Sequence, residues 1–419
     1  MLTRREMLIA AGATVAFRDD SLDLVERALK WGGGQAQDED FWAQIQAAFT
    51  LDRNLVNFNN GGVCPSPRVV NDALKRQIEY ANQAPSYYMW RHQEPEVRAV
   101  AARLAKHFGV GADEVAVTRN ASEALGIAIN GLDLRPGDEI LTTDQDYPRM
   151  VNMMKQRARR EGVKFVQVKA PHKPDDKREL VSAVEGGITA RTKMVLFSQV
   201  VFYNGQVWPV KEVCALGRAR NIPVIVDGAH AFAQYPFTHA DLDCDYYGTS
   251  LHKWLMAPVG TGMLFVKKDK IKSLWPMMAG TAEQDGDIVK FEEIGTHPAA
   301  NHNAIGEALT FHEMIGAARK AERLRYLRTR WTSRLLSERN VRFHTNLAPE
   351  HSCGLTTVEV TGVAPAALAA WLLERGVFVT TIDTPGFKGL RVTPNVYSTL
   401  SEVDLFSDLM LKAAREGIG

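Results

Sequence analysis

The chain has 419 residues, of which 45% are hydrophobic and 24% are charged. A chain of that length and composition buries a large core, most simply as one large and one smaller domain, and is not typical of a disordered protein. The 50 basic and 49 acidic side chains leave a net charge of +1, which argues against a nucleic-acid partner and against an acidic interaction tail.

The N-terminus has the pattern of an export signal. Residues 1–17 read MLTRREMLIAAGATVAF, a basic start followed by an apolar run from Met7 to Phe17. That run is too short for a transmembrane helix, which needs about 20 residues, and Arg4 and Arg5 before it resemble a twin-arginine signal. We expect residues 1–17 to be a signal peptide and the folded protein to reach the periplasm, with no other membrane association. The alternative is an amphipathic N-terminal helix of a cytoplasmic protein.

An alternation of strands and helices begins near residue 55, after a helical segment over residues 18–54 with amphipathic helices at 22–30 and 39–50. Strands that are apolar throughout and separated by helices are typical of a parallel sheet buried on both faces. Only a short loop precedes the last strand, which is therefore expected to be antiparallel. We predict an α/β large domain over residues 55–295 with a seven-stranded, mostly parallel sheet. The predicted strands are EVAVTRN, EILTTD, KFVQV, KMVLFSQ, PVIVDG, YYGTS and GMLFVK.

The pattern changes near residue 300. Two long helical stretches, at 304–314 and 317–339, are followed by the β-rich runs GLTTVEV, VFVTTI and GLRVTP and by a last helix at 401–416. This mixture predicts a smaller α+β domain over residues 296–419, with the boundary placed to within about ten residues.

Two charged residues stand near the ends of predicted neighbouring strands. Ligands of parallel α/β sheets bind outside the carboxyl ends of the strands; Asp227 ends PVIVD, and Lys253 follows YYGTSLH 26 residues later. A lone aspartate is ordinarily a cap or turn residue, but a lysine there is costly to desolvate, and burial makes its amine a nucleophile toward carbonyls. Pyridoxal 5'-phosphate needs one lysine for its aldehyde and one carboxylate for its pyridinium nitrogen. The pair therefore indicates that cofactor.

The stretch VTRNASEALGIAI predicts a strand, a tight turn and the start of a helix. Ala121 and Ser122 would offer backbone N–H groups and a hydroxyl to a phosphate at the positive end of the helix dipole. Ser250 and His252 are placed to reach the same phosphate. On its own, this turn is equally typical of an ordinary helix N-cap.

Further positions are candidates for ring and substrate contacts. Tyr147 follows EILTTD and could stack on the pyridine ring or pack at the surface. Arg391, in GLRVTP, could bind a substrate carboxylate in a bidentate fork or form a surface ion pair. Tyr88 and Arg91, in SYYMWRHQEPE, could contact substrate or pack in a dimer interface.

Residues 55–415 resemble the class V aminotransferase family of fold-type I pyridoxal phosphate enzymes. The segments VDGAHA, HKW with the following APVGTGMLFV, GTHPAANHNAIGEAL and RVTPNVYSTLSEVD are most similar to the isopenicillin N epimerase-like branch. The resemblance implies a fold-type I architecture, bound pyridoxal phosphate, an amino-acid or peptide-derived substrate, and a homodimer with shared active sites.

The resemblance also implies residue roles. Lys253 would form the Schiff base, Asp227 would pair with the pyridinium nitrogen, and His230 would bind the ring hydroxyl. Tyr147 would stack on the ring, and Arg391 would hold the substrate carboxylate. The other implied contacts are Ala121, Ser122, Ser250 and His252 at the phosphate, Thr296 at the phosphate of the neighbouring subunit, and Asn204 near the substrate or the ring hydroxyl.

Cysteine placement separates this chain from the cysteine desulfurases of that family, which carry a nucleophilic cysteine in the small-domain loop before the carboxylate arginine. The loop here reads TTIDTPGFKG. The export-like leader is a second departure from the family pattern and resembles the secreted members that tailor siderophore side chains. The cysteines form no CxxC motif, so we expect small buried hydrophobic residues and no disulfide scaffold or metal site. They are Cys64, Cys214, Cys244 and Cys353.

The expected activity is a transformation at the α-amino group of an amino-acid or amino-carboxylate substrate, with Lys253 as the general base. Transamination is favoured, because epimerisation generally needs a second acid–base group on the opposite face. The alternatives are an amino-acid epimerase, then a β-lyase or desulfurase, then a non-catalytic protein on the same fold.

Overall fold

The computed structural model describes residues 20–30, 34–384 and 386–419, so the expected signal peptide lies outside the described residues. Within these ranges, no helix combines the length and the hydrophobicity needed to cross a membrane. The architecture rests on a seven-stranded sheet, a four-stranded sheet and a two-stranded pairing.

Helices flank both larger sheets. A single π-helical turn, Met89–Gln93, joins two of them, and 3₁₀ turns occupy Ala112–Glu114, His239–Asp241, Lys268–Lys270, Ala282–Gln284 and Ile288–Glu292. The α-helices of the described ranges are α1 (Asp20–Lys30), α2 (Glu39–Ala47), α3 (Arg68–Asn82), α4 (Pro85–Tyr88), α5 (Glu94–Phe108), α6 (Ala121–Gly131), α7 (Pro148–Glu161), α8 (Arg178–Gly187), α9 (Val210–Arg218), α10 (Ala300–Asn303), α11 (Ile305–Ile315), α12 (Ala317–Leu335), α13 (Pro365–Leu373) and α14 (Leu400–Glu416).

The strands fall where short apolar runs were read in the sequence, with a few short additions. They are β1 (Val56–Asn57), β2 (Val115–Thr118), β3 (Glu139–Thr143), β4 (Lys164–Val168), β5 (Thr192–Ser198), β6 (Val224–Asp227), β7 (Tyr246–Ser250), β8 (Gly262–Val266), β9 (Val341–Phe343), β10 (Thr356–Val360), β11 (Val377–Phe378), β12 (Thr380–Thr384) and β13 (Phe387–Val392).

The large sheet has the strand order β2-β8-β7-β6-β5-β3-β4. Its strands are parallel except for β8, which is antiparallel to both β2 and β7. The predicted seven-stranded, mostly parallel sheet with an antiparallel last strand is therefore confirmed. Along β2, Val115 and Val117 pack into one hydrophobic core and Ala116 into another, because alternate side chains of a strand point to opposite faces. Both faces are covered along β2, β3, β6, β7 and β8, which are buried throughout, whereas Lys164 and Gln167 of the edge strand β4 are exposed.

The smaller sheet is antiparallel and has the order β12-β13-β10-β9. Helices α12 and α14 pack together above it, and Trp331 meets Phe406 edge to face at 5.3 Å between ring centroids. A capping box begins α14, since the Thr399 hydroxyl accepts from the Glu402 N–H and the Glu402 carboxylate accepts from the Thr399 N–H. This segment is the α+β arrangement expected from the sequence.

A crossing segment links the two sheets at the cleft between them. Strand β1 pairs in parallel with β11, and Asn59 forms an isolated bridge with Thr393 just beyond β13. Residues 56–59 therefore run beside the smaller sheet and lead directly into Gly61 and Gly62, which line the cavity described below.

Candidate active site

A cavity of about 350 Å³ opens where β2, β3, β5, β6 and β7 end. It lies at the edge of the sheet where the sequence argument placed a ligand. Its wall brings together residues that are far apart in the chain. Those that were singled out from the sequence are Ala121, Ser122, Tyr147, Asp227, His230, Ser250, His252, Lys253 and Arg391.

Lys253 is largely buried, which weakens its hold on a proton. The pKa of its amine is lowered from 10.5 to about 8, because burial outweighs the opposing carboxylate of Asp227 and the positive charge of Arg391 acts in the same direction as burial. About a tenth of the amine is therefore neutral at pH 7, compared with less than about a thousandth for an unperturbed lysine. A neutral amine is the form that attacks an aldehyde or accepts a proton.

Asp227 ends β6 and is only 5% exposed. Burial raises the pKa of its carboxyl and outweighs two opposing effects, the Ala229 N–H, which donates to Oδ1 at 2.9 Å, and the charge of Lys253, so that the pKa is about 6. The next residue must be glycine, because a Cβ on Gly228 would collide with the ring of Tyr247. The DG dipeptide thus places a buried carboxylate at the strand end without displacing the neighbouring strand β7.

His230 is 4% exposed and lies beside the lysine, with 3.1 Å between Nε2 and the Lys253 amine nitrogen. Burial, and then the charges of Lys253 and Arg391, hold the pKa of the imidazole well below its usual range. Nδ1 has no hydrogen-bond partner among the described residues. The ring is therefore neutral, and its second nitrogen is available to a polar group in the cavity.

The first turn of α6 forms the anion-binding end of the cavity. The Asn120 side chain caps the helix by accepting from the Glu123 N–H at 2.9 Å, and the Ser250 hydroxyl oxygen accepts from the Ala121 N–H at 2.9 Å. Gly262 permits this close packing, because a Cβ there would lie 2.7 Å from backbone atoms of Asn120. The N-terminus of a helix of eight or more residues, with hydroxyl groups beside it, is well suited to bind a phosphate.

His252 lies at the same end of the cavity. Its Nδ1 is 3.1 Å from the Thr261 carbonyl oxygen, to which it donates, so Nε2 is left as an acceptor in the neutral ring. Burial, followed by the charge of Lys253, lowers the pKa of this histidine.

Arg391 comes from β13 of the smaller sheet and is 7% exposed. One terminal nitrogen donates to the Phe202 carbonyl at 3.0 Å and the other to Oδ1 of Asn59 at 2.8 Å, while Nε has no partner among the described residues. Burial lowers the pKa of the guanidinium to about 10, so the side chain stays cationic at neutral pH. It is a fixed positive charge in the cavity, as carboxylate binding requires.

Tyr147 precedes α7, and its ring meets that of Phe202 edge to face at 5.3 Å between centroids. The turn before it is held by Asp146, a buried carboxylate that was not singled out from the sequence. Asp146 accepts from the hydroxyls of Thr142, Thr143 and Ser198 and from the backbone N–H groups of Thr143 and Ser198, at 2.7 to 2.9 Å.

Four expected contacts do not line this cavity: Asn204, Thr296, Tyr88 and Arg91. Asn204 is buried elsewhere, where its amide donates to the His172 carbonyl at 2.7 Å and its oxygen accepts from the Gln206 N–H at 3.1 Å. These bonds use the amide to fix a turn. Thr296 and Arg91 are exposed, and Tyr88 packs at 4.4 Å from Tyr80, so their expected roles in ligand binding stay predictions.

Other cavity residues were not anticipated. A Cβ on Gly61 would lie 3.3 Å from Cε1 of His230 and 3.6 Å from Cζ of Arg391, so glycine lets the backbone approach both side chains. The paired glycines of NNGGV were the available signal. Arg149 also lines the cavity and has no hydrogen bond or ion pair within the described ranges, and no sequence pattern distinguishes it from the other arginines of α7.

The donor set fits pyridoxal phosphate. It contains a helix N-terminus for the phosphate, a largely buried amine for the aldehyde and a buried carboxylate for the ring nitrogen. Two buried nitrogens on cavity residues, His230 Nδ1 and Arg391 Nε, have no protein partner in the described structure. These are the features expected of a site built for a polar, anionic ring compound and a carboxylate.

The cysteines are all buried, and none lines the cavity. Burial raises the pKa of each thiol, so no thiolate is available for nucleophilic attack. Across the described ranges, no group of His, Cys, Asp and Glu side chains is arranged to hold a metal ion.

Comparison with known proteins gives one family match and several full-length relatives. The family model for "Aminotransferase class-V" matches residues 56–404. Isopenicillin N epimerase of Streptomyces clavuligerus is 28% identical over 388 residues, which cover 88% of this chain and 97% of that protein. Isopenicillin N epimerase of Amycolatopsis lactamdurans is 28% identical over 394 residues, covering 89% and 99%. The solved structure of the cystine C-S lyase C-DES in complex with cysteine persulfide superposes with a TM-score of 0.77 at 23% identity, covering 85% of this chain and 97% of that one.

Proposed function

The chain belongs to the class-V aminotransferase family of pyridoxal phosphate enzymes, and within that family we propose that it transaminates an amino-carboxylate substrate. The observation that carries this proposal is the convergence of Lys253, Asp227 and Arg391 on one cavity. These three side chains supply a base, a partner for the ring nitrogen and a carboxylate anchor.

When bound, pyridoxal phosphate supplies an electron sink for the bond broken at Cα of the substrate. Arg391 binds the substrate carboxylate and fixes the orientation of Cα toward Lys253. The amine of Lys253, with its pKa lowered to about 8, removes the proton from Cα and delivers it again later in the reaction. Asp227 keeps the ring nitrogen protonated, and the neutral His230 positions the amine.

Epimerisation is the second candidate, because two full-length relatives are isopenicillin N epimerases. It requires a proton donor facing Lys253 across the substrate. Tyr147 lines the cavity and carries a phenolic hydroxyl that can donate a proton, so it is our candidate for that role. Transamination remains the preferred reaction, since it needs only the one base.

The placement of the cysteines does not favour sulfur chemistry of the desulfurase type. It uses a reactive cysteine near the substrate, whereas the four thiols here are buried, and none lines the cavity. A non-catalytic role is also disfavoured, because such a protein would have no need for a lysine with a lowered pKa next to a buried carboxylate.

Two further parts of the proposal concern assembly and location. We propose a homodimer with active sites at its interface, in which the exposed Thr296 approaches the partner's phosphate. We also propose twin-arginine export to the periplasm, based on the sequence of residues 1–17. Light scattering tests the homodimer. Cell fractionation of the wild type and an Arg4→Lys, Arg5→Lys double variant tests the export.

The test of the reaction follows the cofactor and the products separately. Wild-type enzyme and Lys253→Ala are mixed with a panel of L-amino acids in D₂O, and keto acid, pyridoxamine phosphate, D-enantiomer and deuterium at Cα are measured. Transamination predicts keto acid and pyridoxamine phosphate with wild type, and at least a 1,000-fold slower reaction with Lys253→Ala that added methylamine partly restores. D-enantiomer without keto acid, abolished by Tyr147→Phe, would replace transamination with epimerisation. Full activity of Lys253→Ala would reject both.

A further inference from the structure

A second cavity of about 510 Å³ lies beside the catalytic cavity and shares Gly62 and Val63 with it. We call this second cavity the distal compartment. Gly62 and Val63 thus form a common wall between the catalytic cavity, which Lys253 lines, and the larger distal compartment. The apolar part of the compartment consists of Leu51, Leu55, Val63, Pro65, Phe378 and Tyr397.

The wall of the distal compartment is preformed and is tied to the catalytic arginine. Tyr397 is 3% exposed, and its hydroxyl accepts from Nδ2 of Asn57 at 3.1 Å and donates to Oδ1 of Asn60. Asn59, another wall residue, accepts from Arg391 at 2.8 Å. A ligand that engages Arg391 therefore lies next to this wall.

Three large apolar side chains around the compartment remain open to solvent. Leu55 and Phe378 are each 38% exposed and Val63 is 45% exposed. Clustered exposed apolar side chains around a cavity mark a binding site more often than scattered ones do. Burying these apolar surfaces against a hydrocarbon chain would give the largest gain in binding free energy.

The charges around the compartment disfavour an anion. Asp52 and Glu402 line it together with a single cation, Arg53, which is already 3.6 Å from Glu402. The net charge of these three side chains is therefore −1. A substrate whose far end carries a second carboxylate would be repelled, whereas an uncharged chain would not.

The catalytic cavity itself has little space for a long side chain. At about 350 Å³ it lies near the lower end of the usual range for ligand pockets, roughly 300 to 1,000 Å³. The cofactor and the amino-carboxylate group occupy most of that space. A longer substrate must extend out of it, and the distal compartment lies on the other side of the shared Gly62–Val63 segment.

We infer that the distal compartment binds the uncharged, apolar side chain of the substrate, so that the enzyme acts on amino acids with a long alkyl, aryl or acyl substituent rather than on small or acidic ones. This inference rests on the proposed function for the reacting end of the substrate. The amino-carboxylate end is held by Arg391 at Lys253, and the side chain lies against Leu55 and Phe378.

Two ligand series test the inference on the holoenzyme. Linear 2-amino acids from 2-aminobutyrate to 2-aminodecanoate are titrated against the cofactor absorbance, and the unreactive carboxylates hexanoate, octanoate and decanoate are titrated by calorimetry. Both series should bind about three- to fourfold more tightly per added methylene, until the compartment is filled. Suberate, a dicarboxylate of the same length as octanoate, should bind at least tenfold more weakly than octanoate.

Leu55→Glu and Phe378→Ala should flatten the chain-length dependence in both series. Leu336→Glu is the matched control, because Leu336 is 63% exposed at the end of α12 and lines neither cavity. It should preserve the wild-type slope.

Affinity independent of chain length, with small amino acids still reacting, would overturn the inference and leave the proposed function intact. A change of oligomeric state in Leu55→Glu with unchanged ligand affinity would also overturn it, because the patch would then be an interface between copies of the chain. If octanoate binds in a manner that Leu55→Glu abolishes, yet no amino acid alters the cofactor spectrum, the proposed function fails and the apolar ligand site stands.

Discussion

The amine nitrogen of Lys253 lies 3.1 Å from Nε2 of His230, and both side chains line the catalytic cavity. Since burial and two neighbouring cations keep the imidazole neutral, His230 interacts with the lysine as a hydrogen-bonding group and not as a second charge. This contact orients the amine while Asp227, at the end of β6 three residues before His230, supplies the opposing charge. The DGAH segment therefore acts on Lys253 in two different ways.

His230 is predicted to be a positioning residue. His230→Phe should lower kcat by about 10- to 100-fold, within the range that general-base positioning supplies, with a small change in cofactor affinity. His230→Gln, which retains a hydrogen-bonding group of similar reach, should recover most of the loss. The measurement is kcat for His230→Phe and His230→Gln, together with the pH at which each rate is half-maximal. Equal losses in both variants would mean that His230 only fills space.

The reactivity of Lys253 should follow its lowered pKa. In cofactor-free protein, the amine becomes neutral as the pH rises through about 8, so borohydride trapping of added pyridoxal phosphate on Lys253 should increase over the same interval. An unperturbed lysine would not respond until about pH 10. Asp227→Asn removes the group that opposes the shift, so its trapping curve should move to lower pH. Peptide mass mapping at each pH reports the yield. A curve centred near pH 10 would contradict the lowered pKa.

The fold could be predicted from sequence mainly where a strand is buried on both faces. β2, β3, β6, β7 and β8 are buried throughout, and their apolar runs are visible in the sequence. The two-residue strand β1 and the partly exposed β9 were not predicted, because so short a segment carries no alternation and owes its conformation to its partner. The predicted run VFVTTI contains β11 and the start of β12, which the structure shows as two separate strands.

The site was predictable where a residue's chemistry is unusual for its position. Lys253 and Asp227 stand out because charge near a core-strand end is costly. Asn204 could not be placed in the same way, since its amide binds the carbonyl of His172, 32 residues away in the chain. The paired glycines of NNGGV mark Gly61 in the sequence, but only the structure shows that its missing Cβ leaves room for His230 and Arg391.

Asp227 should cost the cofactor-free protein stability at neutral pH. Its pKa is about 6 in the folded chain and about 3.9 when unfolded, so the folded state holds its proton more tightly. The Asp227 carboxyl therefore destabilises the folded state most above pH 6, where it must be ionised while buried. Asp227→Asn should raise the unfolding free energy by about 1 to 3 kcal/mol above pH 6, with the gain disappearing below about pH 4.

Urea unfolding of cofactor-free wild type and Asp227→Asn at pH 4, 6 and 8 measures this gain. Asp241→Asn is the control of opposite sign, because the Thr238 N–H lowers the pKa of Asp241. Stability contributed by a lowered pKa is present above the unfolded value and is lost as the pH falls through the folded one, so that variant should be less stable at pH 8 than wild type. A pH-independent gain in Asp227→Asn would rule out the ionisation argument.

Arg391 should determine affinity for the substrate carboxylate. Arg391→Lys keeps the charge but loses the planar fork, and one charge-assisted hydrogen bond is worth about 1.5 to 3 kcal/mol. KM for amino-acid substrates should therefore rise by about 10- to 100-fold, while the reaction of the corresponding amine without a carboxylate changes little. Arg342→Lys, an exposed position in β9 of the same sheet, is the matched control and should leave both KM values unchanged. If Arg391→Lys raises KM equally for the amino acid and the amine, the arginine supports the cavity through Phe202 and Asn59 and does not bind the carboxylate.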